Sequence, residues 1–533
     1  MSNRPIVLDV LVLSVVALVV RALAAALVPY PPYTDPAYYD MVAQQLATGH
    51  GFTAPVIWSF LEIGSRIPAD PTLPVASNGH WMPLTSIVAS AGMAFFGPGW
   101  RAGQVPMVVL SAALVPFTYL IGWQFWRSRP VALGGATLAL LGGPLLIASP
   151  LVANYAVFGV TGAAALYLSC RAVGATRPGP WLVGAGVACG LATLTRVDGL
   201  LLTVAPAVAW ALRLERGRLA SALAWGLGSG LAFVLVLAPW LARNQATFGS
   251  LLPSAGAHML WISSYNEQFS IGHQVSLSSY LASTSPLAIV GSRLAAWLEL
   301  AGRTTVLTGG IFVIFLAAGL WLARRRRELL PFVVYFVLMF VVMGAVFTFH
   351  GPKGAYYHAS EAWLPFALPM AVAAIAPAST AAGRWWRFLR RSATHRFLLV
   401  VGMLGAVLLS LVASASLYTQ WAASHKLDEA AGSFFTTNHL TDAVVMSDDP
   451  SALWQVSRNP GVPFPFDPYP VVEQVVRAYG VQWVVVTRRD PALPDPLGLW
   501  EGAESVDGQG DRADFLASDP AFEAPGVRIY AVR

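Results

Sequence analysis

"PYPPYTDPAYYDMVAQQLATGHGF", residues 29–52, begins where an uninterrupted apolar run, Ile6 to Val28, stops. That run exceeds the roughly 7–15 residues of a signal-peptide core and reaches the roughly 20 that a helix needs to cross a bilayer, so it reads as a retained transmembrane helix. The 24 residues after it are polar, aromatic and acidic, with Asp35 about six residues beyond the boundary. An aspartate there stands at headgroup depth. It opens the helix that follows, with Pro36 next in line, and it is also a carboxylate that a lipid-borne substrate can reach.

The rest of the chain carries the same signature. Its 533 residues are 56% apolar and 11% charged, with a mean hydropathy of +0.60, against roughly 25% charged residues in ordinary soluble domains. Apolar runs near 6–28, 104–124, 131–149, 155–171, 179–194, 198–213, 219–240, 305–323, 329–349, 362–377 and 397–417 predict a mainly α, polytopic transmembrane helix bundle of about eleven spans. Basic clusters separate the runs: Arg4, Arg127 with Arg129, Arg171 with Arg177, "RLERGR" (213–218), "RRRR" (324–327) and "RWWRFLRRSATHR" (384–396). Placing each cluster on the cytoplasmic side leaves the topology consistent only when 83–96 does not cross, so that stretch is expected to be an interfacial or re-entrant helix. The net charge of +6 is spread through these clusters, which does not describe a nucleic-acid face. Cys170 and Cys189 both fall in or at the end of spans and offer no disulfide framework or zinc ribbon.

This topology gathers the remaining polar residues on the outer side. They lie in a first loop (29–103), at turns holding Asn154 with Tyr155 and "TRVDG" (195–199), in a second large loop (243–304), and in "HGPKGAYYHASE" (350–361). Within the first span, Arg21 either snorkels to the headgroups or faces a polar cavity. The first 417 residues form the transmembrane module, and residues 418–533 form a small extracytoplasmic α/β domain. Its strands are expected at 442–447, 481–487 and 526–533, and "SDDPSA" (447–452) opens a short helix through Pro450. No Gly-rich phosphate loop follows its strands, so a lid or acceptor-recognition role is expected of it.

Five segments in this order, "TDPAYYDMVAQQLATGHGF", "NGHWMPLTS" (78–86), "TRVDGLLL" (195–202), "APWLARNQATFG" (238–249) and "YYHASEAWLPFALP" (356–369), resemble the membrane-embedded GT-C glycosyltransferases. The branch they resemble most holds protein-O-mannosyltransferase-like and lipid A aminoarabinose-transferase-like enzymes. The resemblance spans roughly residues 6–376 and implies sugar transfer from a polyprenyl-phosphate donor at the extracytoplasmic face, with a first-loop aspartate at the active site. His80 stands where such enzymes carry a basic or polar residue toward the donor phosphate, and Asn154 where they often place a second acid.

The chemistry asks for matching groups. A hydroxyl acceptor, whether protein, lipid or glycan, loses its proton to a carboxylate or histidine, and a departing phosphate needs cations. Asp35 is the candidate base. Arg243, Arg196, His80, Arg101 and Lys353 are candidates for the donor phosphate. Tyr38, Tyr39, Trp81, Asn154, Asp198, His358 and Glu361 are candidates for substrate contact. Asp40, five residues after Asp35, lies about 140° round the helix and is expected outside the pocket. No ligand spacing demands a metal, so no obligatory metal or cofactor is predicted. Capping by Asp35 would favour its ionised form, leaving a charged but weak base. A lipid-linked sugar transporter or a non-catalytic scaffold of the same fold is the alternative function.

Overall fold

The computed structural model describes residues 4–214, 219–253, 260–271, 275–488 and 514–533. Parts of the expected 213–218 basic cluster and of the second outer loop therefore lie outside the described residues. The helices in chain order begin with α1 (Arg4–Leu27), α2 (Thr34–Ala47), α3 (Leu84–Phe96), α4 (Trp100–Trp126), α5 (Arg129–Leu141), α6 (Leu145–Ala148), α7 (Asn154–Gly174), α8 (Pro178–Thr195) and α9 (Val204–Ala211). There follow α10 (Leu219–Phe248), α11 (Leu277–Ser283), α12 (Pro286–Leu307), α13 (Phe312–Ala323), α14 (Leu330–Ala345), α15 (Tyr356–Ala382), α16 (Ser392–Thr437), α17 (Pro450–Ser457) and α18 (Tyr469–Ala478).

Among the described residues seven helical stretches are long and apolar enough to cross a membrane: Pro5–Leu27, Trp100–Trp126, Asn154–Gly174, Leu219–Phe248, Arg327–Ala345, Gly351–Ala382 and Ser392–Thr437. An eighth is the pair α12–α13, bent by 103°. The other runs read as spans fall on shorter pieces: α5, α8, and the 3₁₀ turn Val197–Thr203 continuing into α9. The stretch read as interfacial or re-entrant is α3, whose 13 residues extend about 20 Å, short of a hydrocarbon core of about 30 Å.

The expected snorkelling of Arg21 gives way to burial. Only 3% of Arg21 is exposed, because α5 stops at Gly142 and Gly143, both at φ +58°, and the interrupted helix leaves carbonyls without intrahelical partners. Arg21 donates to those of Leu145 (3.1 Å), Leu146 (2.9 Å) and Ala139 (3.1 Å). Basic residues at the opposite end do similar work on helix termini: Arg326 donates to Phe125 O at the end of α4 (2.7 Å), and Arg327 to Leu212 O just beyond α9 (3.1 Å).

At the centre stands α15, buried along nearly its whole length and packed against α4, α5, α7, α13 and α14. Its approach to α7 depends on glycine. A Cβ on Gly162 would lie 2.5 Å from the Ala362 Cβ, and one on Gly159 2.8 Å from the Glu361 Cβ. This packing brings the first turn of α15 beside the first turn of α7.

In the first loop β1 (Thr53–Ala54) pairs antiparallel with β2 (Val75–Ala76). The last long helix, α16, runs 46 residues without a break through the boundary expected near 417 and into the carboxy-terminal domain. That domain holds β3 (Val445–Ser447), β4 (Gly461–Pro463), β5 (Trp483–Thr487), β6 (Phe522–Ala524) and β7 (Val527–Ala531) in one sheet of order β4-β3-β5-β7-β6. Strands β4, β3 and β5 are parallel, while β7 runs antiparallel to its neighbours. Sequence reading found β3, β5 and β7; β4 and β6, three residues each, are too short for a periodicity to register. The β4 edge is covered by the first loop, where Val56 bridges to Gly461 and Ile57 N donates to Gly461 O at 2.9 Å. Ile57 and Phe60 complete the apolar core under this sheet with Met446, Val462 and Val484. The first loop and the soluble domain thus share one core.

Candidate active site

The chain leaves α1 through "PYPPY" and enters α2 with Tyr33 as N-cap, extended at φ −162° and with no side-chain cap. Asp35 sits inside the first turn, which overturns its expected role as the cap. No hydrogen bond to its carboxylate forms among the described residues; the nearest polar partner is His358 Nε2, 3.7 Å from Oδ2. The side chain keeps 27% exposure toward the cleft. Loss of hydration pushes Asp35 up to about 6, with Arg196 drawing it down and Asp449 pushing it further up. The inference of a depressed, weakly basic carboxylate is thereby reversed, because the stabilising donors that capping would supply are absent.

His358 is oriented by the start of α7. Asn154 Oδ1 meets His358 Nδ1 at 2.5 Å, and Asn154 Nδ2 donates to the Tyr39 hydroxyl at 3.2 Å. With Nδ1–H donated to that amide oxygen, Nε2 is left as the acceptor, facing Asp35 and, at 3.3 Å, the Tyr155 hydroxyl. The Tyr155 ring stacks on the imidazole at 4.2 Å, and its hydroxyl contacts that of Tyr33 at 3.1 Å. The amide at position 154 therefore holds a histidine, where a carboxylate would have added charge.

Next to this lies an aromatic wall. Trp81 stacks on Trp58 at 4.1 Å and on Tyr39 at 5.5 Å, with Tyr38 edge-on at 4.7 Å. Tyr38 donates to Glu62 and accepts from Asn78 N at 2.7 Å, while Gly79 N donates to Glu62 Oε1 at 3.2 Å. Burial pushes Glu62 up to about 7. His80, beside Trp58, is driven down to about 3 by burial and by the nearby His350 and Arg196, so at neutral pH it offers an uncharged imidazole. Asp40 is fully buried, turned away toward Gln44 Nε2 at 2.7 Å, as the helical wheel indicated.

The cations are placed unequally. Arg196, at the end of α8, is forked onto Asp198 at 2.9 and 3.0 Å and reaches Ala355 O at 3.4 Å, beside the first turn of α15. Lys353 is exposed at the rim, its ammonium 5.5 Å over the Tyr265 ring. Arg243 is wedged among the rings of Trp240, Phe248 and Phe52 and donates to Ser77 O at 2.8 Å, clamping the base of the first loop. Arg101 caps the end of α1 through Ala25 O (2.7 Å) and Ala26 O (3.1 Å). Glu361 points away from the cleft to Ser149, near the break after α5. Asp35, Tyr39, Asn154, Arg196, Asp198 and His358 thus converge on one cleft, with Tyr38 and Trp81 behind Tyr39. Sequence reading left Trp58, Tyr33 and Tyr155 out of the candidate set. The aromatic run around Asp35 was their only signal. Among the described residues no group of three or more His, Cys, Asp or Glu side chains is arranged to hold a metal ion.

No protein-family model and no curated protein matches this chain. Solved structures do. ArnT, the aminoarabinose transferase of Cupriavidus metallidurans, solved bound to undecaprenyl phosphate, superposes with a TM-score of 0.57 at 14% identity over 100% of this chain and 98% of its own. Its apo state gives 0.56 at 15% identity over 98% and 97%. An oligosaccharyltransferase of Archaeoglobus fulgidus, solved with zinc and sulfate, gives 0.53 at 14% identity over 89% of this chain and 68% of its own. The fold is therefore the GT-C fold with a small carboxy-terminal sheet domain, and the chain is a multi-pass membrane protein.

Proposed function

We propose that this GT-C-fold chain transfers a monosaccharide from a polyprenyl-phosphate donor to a hydroxyl acceptor at the extracytoplasmic membrane face, with Asp35 as general base. The observation that carries the reading is a half-open carboxylate raised to about 6 on the first turn after a spanning helix. A carboxylate titrating there is ionised at neutral pH and still basic enough to take a hydroxyl proton. The neighbour solved with undecaprenyl phosphate supports the donor class.

The transfer is a single displacement. The acceptor oxygen attacks the anomeric carbon as its proton passes to Asp35. The bond from that carbon to the phosphate oxygen breaks, its electron pair stays on the phosphate, and the configuration inverts. Arg196 is the buried cation closest to this event, and Lys353 supplies charge at the rim. Neutral His80 adds a hydrogen-bond donor. Arg243 and Arg101 hold the frame in which these groups meet the phosphate. Tyr39 and Trp81 present ring faces for the sugar, and the His358–Asn154 pair keeps an acceptor nitrogen beside Asp35. The basic clusters at the far end of the bundle assign that end to the cytoplasm and the cleft to the opposite side.

The test uses proteoliposomes carrying undecaprenyl-phosphate-linked mannose or aminoarabinose, with release of undecaprenyl phosphate as the readout. Asp35→Asn abolishes release if the reading holds. Unchanged turnover by a correctly folded variant overturns it.

A further inference from the structure

The soluble domain touches the cleft at one helix. Helices α17 and α2 lie side by side with their first turns together: Asp449 meets Thr34, Gln455 Nε2 donates to Ala37 O at 3.0 Å, and Arg458 reaches Gln44 Oε1 at 3.1 Å. Asp449 is 5% exposed and divides its two oxygens. Oδ1 accepts from Ala452 N at 3.0 Å and caps α17, while Oδ2 accepts from the Thr34 hydroxyl at 2.7 Å. Thr34 immediately precedes Asp35, and the first turn of α2 has no side-chain cap of its own.

We infer that Asp449 is a positioning residue for Asp35: through Thr34 it fixes the first turn of α2, and its negative charge sets how readily Asp35 takes a proton. The inference rests on the reading of Asp35 as general base. It makes the soluble domain a working part of the active site, in place of a lid added to a complete one. Two carboxylates brought together by separate elements each make the other harder to ionise, and the low dielectric of a buried site strengthens that effect. The other titratable and charged groups around Asp35 are Arg196 and Asp198 from the end of α8, His358 from α15, Tyr155 from α7, Tyr33 and Tyr39 from its own segment, and Tyr265 from the second loop. Of these, Arg196 acts against Asp449, and both act directly on Asp35.

Asp449→Asn is the informative variant. Asparagine caps a helix about as well as aspartate and retains a hydrogen bond to Thr34, so the charge is removed while the contacts are kept. Asp448→Asn is the control, since Asp448 faces the sheet and accepts from Thr487 at 2.6 Å. Two readouts on the full-length protein follow Asp35. One is the acid limb of undecaprenyl phosphate release. The other is the protonated-carboxyl band in infrared difference spectra against Asp35→Asn, which does not depend on turnover. With Asp449→Asn both midpoints fall by about half a pH unit or more, making release about two- to threefold faster at pH 5, and with Asp448→Asn neither moves. An unmoved midpoint in Asp449→Asn overturns the inference, as does a uniform loss of release at every pH without a shift. If Asp35→Asn itself retains release, the proposed function fails, while the infrared midpoint still reports whether Asp449 acts on Asp35.

Discussion

Two aspartates flank the membrane part of α1 and have opposite surroundings. Asp9, near the start of the helix, accepts Arg129 Nε and Nη2, both at 2.8 Å, and the Tyr119 hydroxyl at 2.7 Å. Asp35, beyond its end, has no donor within hydrogen-bond distance among the described residues, and the imidazole opposite it stands 3.7 Å away. Both are acids near a bilayer surface. A carboxylate whose lone pairs are filled holds α1, α4 and α5 together, whereas one whose lone pairs are empty is held in place by its neighbours' packing and is open to a proton. The chemistry of a carboxylate here is decided by what its surroundings withhold.

The largest expected effect separates the two. Asp35→Asn lowers release of undecaprenyl phosphate by about 10²- to 10⁴-fold, the range for losing a general base. Asp9→Asn leaves turnover unchanged and lowers the thermal unfolding midpoint, read by fluorescence in the same detergent. Parity between the two variants in either assay would break the contrast.

A pH profile sharpens it further. With Asp35 raised to about 6, the base form is complete above that value. Release then declines about tenfold per unit as pH falls below it. An acid limb near the ordinary carboxylate value of about 4 would mean that Asp35 is ionised by donors absent from this structure.

Smaller effects come from the support. Asn154→Leu removes the acceptor for His358 Nδ1–H, lets the ring choose its tautomer, and reduces release by about tenfold with the fold intact. Gly162→Ala pushes α15 off α7, since its Cβ would meet the Ala362 Cβ at 2.5 Å. It costs about 1–3 kcal/mol of stability, measured by denaturant titration, as overpacking does.

Local features were legible from the sequence. The apolar runs mark where the helices fall, the polar segments between them supply the cleft, and Asp40 turns away from Asp35 as the helical wheel requires. The helix opening at Asp449-Pro450 also follows from its residues. What the chain does not write locally is the environment of Asp35. Its basicity depends on Arg196 and Asp449, and the Thr34–Asp449 contact joins positions 415 residues apart. The cap expected at Asp35 fell to Tyr33 because "PYPPY" delivers extended backbone one turn earlier than the Asp-Pro pair suggests. Breaks within apolar runs were hidden too. Gly142-Gly143 interrupts a stretch that composition alone reads as one span.

That interruption bears on the order in which the protein is made. Arg21 finds its three acceptors between 118 and 125 residues further along the chain, so α1 is synthesised well before anything can receive its guanidinium. A lone arginine near the middle of a spanning segment costs about 2.5–3.5 kcal/mol at the insertion step. The amino-terminal helix thus enters the bilayer with one unmet obligation, which the carbonyls of the broken helix discharge only when α5 and α6 arrive. Biogenesis of this bundle is therefore sequential by construction, with its earliest helix waiting for a later one to make it at home in lipid.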